Sequence, residues 1–378
     1  MNVLIVASNR SRQPIPVIPF GACLVAQSLE KAGHKVRLLD LMFQPDPAKA
    51  IRQAFNGSSP DIVGLSVRNL DNNDMRDTAE YVSELIALVR TIERHSKVPI
   101  VLGGSAAGVM PEGLLRATGA RLAVLGDGEV VFPMLLHALD SGHSLPDALE
   151  KTPRVAWIEQ SSFRRNSGVP LGLHEDLMLP GFHRWIDLKK YRSHLATVPI
   201  QSKRGCPFEC IYCTYGISEG TGYRLFPPEE VADAVRRLGS EGIRDVEFVD
   251  NVFNSPYDHA MEICGYLADI PSRARLQTIE LNPAFVDREL LRAMHQAGFT
   301  GVGITAESAS DTVLNGLGKD YLGDHVRKAA EAVRANPVPC FWLFLIGGPG
   351  ETKESFRETV RFAKSAARST DVVFFNVG

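Results

Sequence analysis

A chain of 378 residues exceeds one ordinary hydrophobic core and is the right length for two domains. Its 44% apolar and 22% charged residues are those of a soluble globular protein, and a formal net charge of -3 gives no basic field for a polyanion, so nucleic acid is not the expected partner. No run of about 18 apolar residues occurs, and Asn2-Val3-Leu4-Ile5 opens directly into a strand-like segment, so neither a membrane span nor a signal peptide is expected. Six cysteines, three of them clustered, do not form a secreted disulfide framework and point to the cytosol.

Residues 1–140 alternate short aliphatic runs with amphipathic stretches. Strands are expected at 2–8, 35–41, 61–67, 99–104 and 122–128, with a helix from Gly21 to Ala32 and another at 75–95 that places Met75, Ala79, Val82, Leu85 and Ile86 on one face. Five strands separated by helices predict a doubly wound parallel α/β sheet that binds ligands at the carboxyl ends of its strands. The Pro-, Ser-, His- and Arg-rich stretch 141–196 reads as a connector with a short hairpin. From 197 onward six strand–helix repeats, with strands near 197–206, 245–250, 277–281, 301–305, 340–346 and 371–376, predict a partial (β/α)6 barrel over 197–378. Its active site is expected at the carboxyl strand ends. Ending at Gly378 directly after a strand suggests part of a longer chain.

The sharpest signal is "KRGCPFECIYC" (203–213), which spaces Cys206, Cys210 and Cys213 as C-x3-C-x2-C. Three structural thiols are one reading. Zinc is a second, but structural zinc takes four ligands in paired units, and Cys23, Cys264 and Cys340 are isolated. A [4Fe–4S] cube held at three irons is the third, and its open iron would take a cosubstrate as fourth ligand.

This cysteine pattern after a first barrel strand, with Tyr212 before the last cysteine, resembles the radical S-adenosylmethionine (SAM) superfamily. The resemblance implies that the open iron chelates SAM and that one electron cleaves it to methionine and a 5'-deoxyadenosyl radical. It also implies cosubstrate contacts at the strand ends: Asp250 and Asn251 in "FVDNVFN", Glu307 and Ser308 in "GITAESAS", and Gly347 and Gly348 in "FLIGGPGE". Taken singly, Glu307 reads equally as an ordinary helix N-terminal carboxylate and the glycine pair as a turn.

The first sheet resembles the cobalamin-binding domain of one branch of that superfamily, through "VGLSVRN" (63–69), "VLGG" (101–104) and "LGDGE" (125–129). The resemblance implies room for the corrinoid's nucleotide tail beside Ser66, Gly103, Gly104, Ser105, Gly126, Gly128 and Glu129. A plain flavodoxin-like sheet is the alternative. The loop after the first strand, "SNRSRQP", lacks the histidine of the D-x-H-x-x-G cobalt ligand pattern, so any cobalamin is expected base-off and without histidine ligation. Arg68, Asn69 and Leu70 are the candidates to cover its lower face. For Arg68 a salt bridge to Asp71 or Asp74 is the competing expectation.

Together these resemblances imply a cobalamin-dependent radical SAM methyltransferase acting on an unactivated carbon of a natural-product or cofactor precursor. Its electrons would come from flavodoxin or ferredoxin. A cobalt-free rearrangement, cyclisation or alkyl transfer is the alternative enzyme, and an iron–sulfur scaffold or redox sensor the non-enzymatic one.

Overall fold

A computed structural model describes residues 1–57, 59–72, 74, 77–168, 178–270 and 274–377. Two compact units divide the chain, one chiefly Met1–Gly172 and Leu179–Ala196, the other chiefly Thr197–Gly216 and Gly220–Gly378. Among the described residues no helix is long and apolar enough to cross a membrane.

In the first unit a seven-stranded sheet is built from β1 (Asn2–Ala7), β2 (Lys35–Asp40), β3 (Ile62–Ser66), β4 (Ile100–Gly103), β5 (Leu122–Val124), β6 (Val155–Glu159) and β7 (Ser162–Arg165), in the order β2-β1-β3-β4-β5-β6-β7. The first five strands run parallel, as the alternation of aliphatic runs and helices predicts. The strand β1 is buried from Val3 to Ala7 because both faces are covered. Period-two alternation sends Leu4 and Val6 to a core with Leu85, Val89, Ile92 and Leu115. Ile5 faces the opposite side, where the helices Phe20–Lys31 and Gly128–Asp140 pack together. Strand order reverses beside β1, between β1 and β3, which makes the carboxyl end of that junction the natural crevice.

Two expectations change here. The helix expected at 75–95 spans Val82–His95, and Met75 lies outside the described residues. The stretch 141–196 is more than a connector: its expected hairpin, β6 and β7, joins the first sheet, with β6 antiparallel to β5 and β7 antiparallel to β6. Its short apolar run Val155-Ala156-Trp157 is buried against the sheet, and Tyr191 of the same stretch donates its hydroxyl to Asp40 at 2.9 Å. Polar flanks hid that run in the sequence.

In the second unit six parallel strands, β8 (Val198–Ile200), β11 (Asp245–Phe248), β12 (Arg275–Leu281), β13 (Phe299–Glu307), β14 (Cys340–Ile346) and β15 (Val372–Val377), follow one another in order. A separate antiparallel pair, β9 (Lys203–Arg204) and β10 (Arg224–Leu225), stands beside them. The intervening helices are amphipathic; Pro228–Ser240 buries Val231, Ala232, Ala234, Val235 and Leu238. Phe248, Phe253 and Phe299 pack ring to ring 5.0 to 5.6 Å apart and tie the early strands together. The expected partial (β/α)6 barrel is present strand for strand.

Candidate cofactor sites

The cysteine loop is an excursion from the β9–β10 ladder. Arg204 lies opposite Arg224 and Lys203 opposite Leu225, so residues 205–223 return to where they left. Inside the loop the Cys206 N–H donates to the Gly220 carbonyl and the Cys213 N–H to the Cys210 carbonyl, both at 3.1 Å. Cys206 is buried, while Cys210 and Cys213 are partly exposed. Burial pushes the Cys206 thiol up to about 11, and the charges of Cys213 and Cys210 add to the effect. Cys210 is also raised by burial, with Lys319 opposing. Cys206 and Cys210, raised by burial, become thiolates readily only beside cations, which is the chemistry of an iron-binding set. Among the described residues no three His, Cys, Asp or Glu side chains close around one ion position.

The strand ends beside this loop carry the predicted cosubstrate residues, with divided outcomes. Glu307 closes β13 at φ +58°, a conformation that a non-glycine residue adopts only when its surroundings enforce it. There its carboxylate accepts from the Tyr212 hydroxyl and, at 3.1 Å, from Lys319 Nζ. Lys319 also donates to Tyr212 Oη at 2.6 Å. Asp250, by contrast, is committed elsewhere: buried at the end of β11, it accepts from Ser202 N, Ser202 Oγ and Lys203 N at 2.7, 2.8 and 3.1 Å. It holds the entry to the cysteine loop, and Asn251 follows it, also buried. Ser308 is likewise satisfied internally, paired with Thr359 Oγ1 at 3.0 Å and accepting from Ser310 N at 3.2 Å. Gly347 donates its N–H to Glu351, and Gly348 packs against Val313 and Leu317, so this pair shapes its loop against the helix Asp311–Gly316.

In the first unit a cleft of about 550 Å³, counting its open mouth, follows the carboxyl ends of β1, β3 and β4 under the helices Phe20–Lys31 and Gly128–Asp140. Gly64, Ser66, Gly103, Gly104, Gly126, Gly128 and Glu129 line it, with Ile5, Val25 and Phe132 as apolar walls. Gly103 opens into space, since a Cβ there would have only the Val124 carbonyl, 3.9 Å away. Gly104 is different: at φ +90° a Cβ would come within 2.5 Å of the Val67 carbonyl, so the turn itself demands glycine. Ser105 fixes the same turn by donating to the Arg68 carbonyl at 2.6 Å. A polar pocket of about 1020 Å³, again counting its open mouth, lies beyond β1 and β3, lined by residues 8–13, Arg68, Asn69 and Tyr81.

Residues 200–363 match the Radical SAM superfamily and residues 14–136 match the B12 binding domain. This chain is a B12-binding radical SAM protein. An uncharacterized methyltransferase of Pyrococcus horikoshii is 25% identical to it over 92% of this chain and 73% of the relative. The tryptophan 2-C-methyltransferase of Streptomyces laurentii is 24% identical over 91% and 67%. Among solved structures, the radical SAM methyltransferase TsrM from Kitasatospora setae superposes with a TM-score of 0.88 at 24% identity, covering all of this chain and 72% of that one, and so shares the fold.

The residues of this B12-binding radical SAM protein fit its cofactors. Three thiols in one short loop, within electrostatic reach of one another, suit the cluster, and a glycine-lined cleft whose open side at Gly103 a Cβ would occupy suits a flat nucleotide tail. Among the described residues no histidine lines the cleft or the polar pocket. His34 sits at the amino end of β2, against Met1 and Asp140, away from those strand ends. Arg68 and Asn69 are exposed at the end of β3. With the Asn69 amide turned, it accepts from Arg68 at 3.1 Å and donates to the Arg68 carbonyl at 3.0 Å. Leu70 packs against the sheet's own core and is not a surface cover. Sequence reasoning missed Lys319, whose only mark is its place in the tight turn "GLGKDY". It also missed Glu280 on β12, whose carboxyl burial and the neighbouring Glu307 push up to about 8.

Proposed function

We propose that this protein is a cobalamin-dependent C-methyltransferase that modifies an unactivated carbon of a small molecule, a natural-product or cofactor precursor. One observation carries the reading: a cysteine triad with an open-iron stoichiometry and a glycine-lined B12 cleft occur in the same chain. When bound, the corrinoid supplies a methyl carrier and SAM on the cluster supplies a carbon-centred radical. In this reading Cys206, Cys210 and Cys213 hold the iron, and Glu307 orients SAM with Tyr212. The loop Gly347–Gly348 and Asn251 border the cosubstrate. Asp250 and Ser308 keep the strand ends in place behind it. Ser66, Gly103, Gly126, Gly128 and Glu129 border the corrinoid tail, and Arg68 with Asn69 covers a lower face that receives no histidine. The relatives named as methyltransferases support the reaction type, and tryptophan as the named substrate of one supports a small-molecule acceptor. A low-potential donor such as flavodoxin or ferredoxin, in the cytosol, would reduce the cluster.

The test is anaerobic reconstitution with iron, sulfide and hydroxocobalamin, followed by iron and cobalt analysis and incubation with methyl-labelled SAM. The reading expects iron and cobalt in one protein, cleavage of SAM to 5'-deoxyadenosine, and label transferred to an acceptor. Iron and SAM cleavage without cobalt would instead leave the cobalt-free rearrangement, cyclisation or alkyl transfer.

A further inference from the structure

The turn 317–320, between the helices Asp311–Gly316 and Gly323–Arg334, is stitched to the cysteine loop along its length. The Ile211 N–H donates to the Leu317 carbonyl at 3.1 Å. Gly318 adopts φ +69°, and a Cβ there would come within 2.7 Å of the Glu209 carbonyl, so the two backbones approach too closely for a side chain. At the far end Asn282 donates to both carboxylate oxygens of Asp320, at 3.0 and 3.2 Å.

This frame buries Lys319, whose side chain is 6% exposed. Its ammonium donates to Tyr212 Oη at 2.6 Å and to Glu307 Oε1 at 3.1 Å, and its charge opposes the rise that burial gives the Cys210 thiol. It rests 4.9 Å from the ring centre of Tyr212 and 5.7 Å from that of Tyr321. Two of its N–H groups thus meet acceptors, one on the tyrosine between Cys210 and Cys213 and the other the carboxylate at the cosubstrate strand end.

We propose that Lys319 is a positioning residue that raises the cluster's reduction potential and couples the cluster to the cosubstrate site, by fixing a buried cation against Tyr212 of the cysteine loop and giving an N–H to Glu307. The inference rests on the iron–sulfur reading of the cysteines. Reduction adds one electron, from [4Fe–4S]2+ to [4Fe–4S]1+, and makes the ligand sulfurs more negative. A fixed, buried cation held beside the cysteine loop favours that reduced form.

The experiment is a dithionite redox titration of the reconstituted full chain, followed by electron paramagnetic resonance of the reduced cluster, in wild type, Lys319→Met, Lys319→Gln and Lys319→Arg. Lys319→Met should show about a tenfold smaller reduced-to-oxidised ratio at fixed potential, a midpoint about 59 mV more negative for a one-electron couple. Lys319→Arg should stay near wild type, and Lys319→Gln, which keeps a donor but loses the charge, should fall between. A Lys319→Met midpoint equal to wild type overturns the proposal. If Lys319→Met takes up no iron, equal midpoints in Lys319→Gln and Lys319→Arg overturn it. Loss of iron from all three variants also does so, because the residue would then build the loop and not tune the cluster. A wild-type protein without iron fails the underlying reading, and is recognised before any titration begins.

Discussion

Ser202 gives its backbone N–H and its hydroxyl to the two carboxylate oxygens of Asp250, at 2.7 and 2.8 Å. The end of β11 thereby grips the chain where it leaves β8 for the cysteine loop. Lys203, next in line, sends its own N–H to Asp250 and buries its ammonium against the Phe253 carbonyl at 2.7 Å. Burial pushes that ammonium's pKa down, with Asp250 opposing.

Asp250→Ala should therefore act through folding before it acts on SAM. It leaves two backbone donors and a buried cation without their partner, a loss of about 3 kcal/mol. Urea unfolding should show the loss, and iron content should fall with it. Normal stability and iron together with weak SAM binding would return Asp250 to the cosubstrate.

Glu307→Gln should have the opposite signature. Iron should remain, while SAM binding weakens by about 1.5–3 kcal/mol for one lost charged hydrogen bond. Equilibrium dialysis with labelled SAM on the reconstituted protein measures it, and unchanged affinity would remove Glu307 from the site.

Gly103→Val should displace cobalamin while leaving iron and stability in place, because its added atoms meet only the open cleft. Gly104→Val should unfold the turn instead, since its Cβ overlaps the Val67 backbone. Cobalt analysis beside thermal melting separates the two. Cobalamin retained by Gly103→Val would place the tail elsewhere.

Cob(II)alamin on the protein should show cobalt lines free of the threefold nitrogen splitting, since among the described residues no histidine lines the cleft or the polar pocket. Electron paramagnetic resonance reads this directly. Arg68→His should introduce the splitting if the end of β3 faces the corrin, and an unchanged spectrum would put that strand end away from cobalt.

Glu280 predicts a pH dependence. Its folded pKa, raised by burial to about 8 from an ordinary 4.5, means that the folded chain keeps a proton that the unfolded chain has released across that window. The contribution to stability is complete below the unfolded value and is lost as pH rises toward 8. Glu280→Gln removes the titration, so it should gain at least about 1.4 kcal/mol relative to wild type between pH 5 and pH 9. Parallel urea midpoints across that range would show that Glu280 does not titrate there.

The strands and the cysteine motif were legible because both are local: period-two burial and fixed spacing lie within a few residues. Side-chain partners were not. Asp250 meets Ser202 across 48 residues and Lys319 meets Tyr212 across 107. A strand-end carboxylate looks the same in sequence whether it faces a ligand or a neighbouring loop. Glu307 and Asp250 were read alike, yet one lies open to a tyrosine and a lysine while the other is closed by backbone donors. Leu70 was misplaced for a related reason. Sequence position put it beside Arg68 and Asn69, but its apolar side chain turns to the core.

The hairpin of β6 and β7 has a consequence for how the first unit keeps its own company. In β7, Arg164 and Arg165 are exposed, and Arg164 pairs with Glu159 at 3.0 Å. The outermost strand on that side thus presents charge and resists a stray neighbour's backbone. Inside it, β5 is buried at Leu122, Ala123 and Val124 and carries no charge of its own. A truncation after residue 140 would keep all five parallel strands and still strip the guard from β5. Such a fragment should self-associate through that bare rim, so the hairpin is what lets the B12-binding half exist as a solitary sheet.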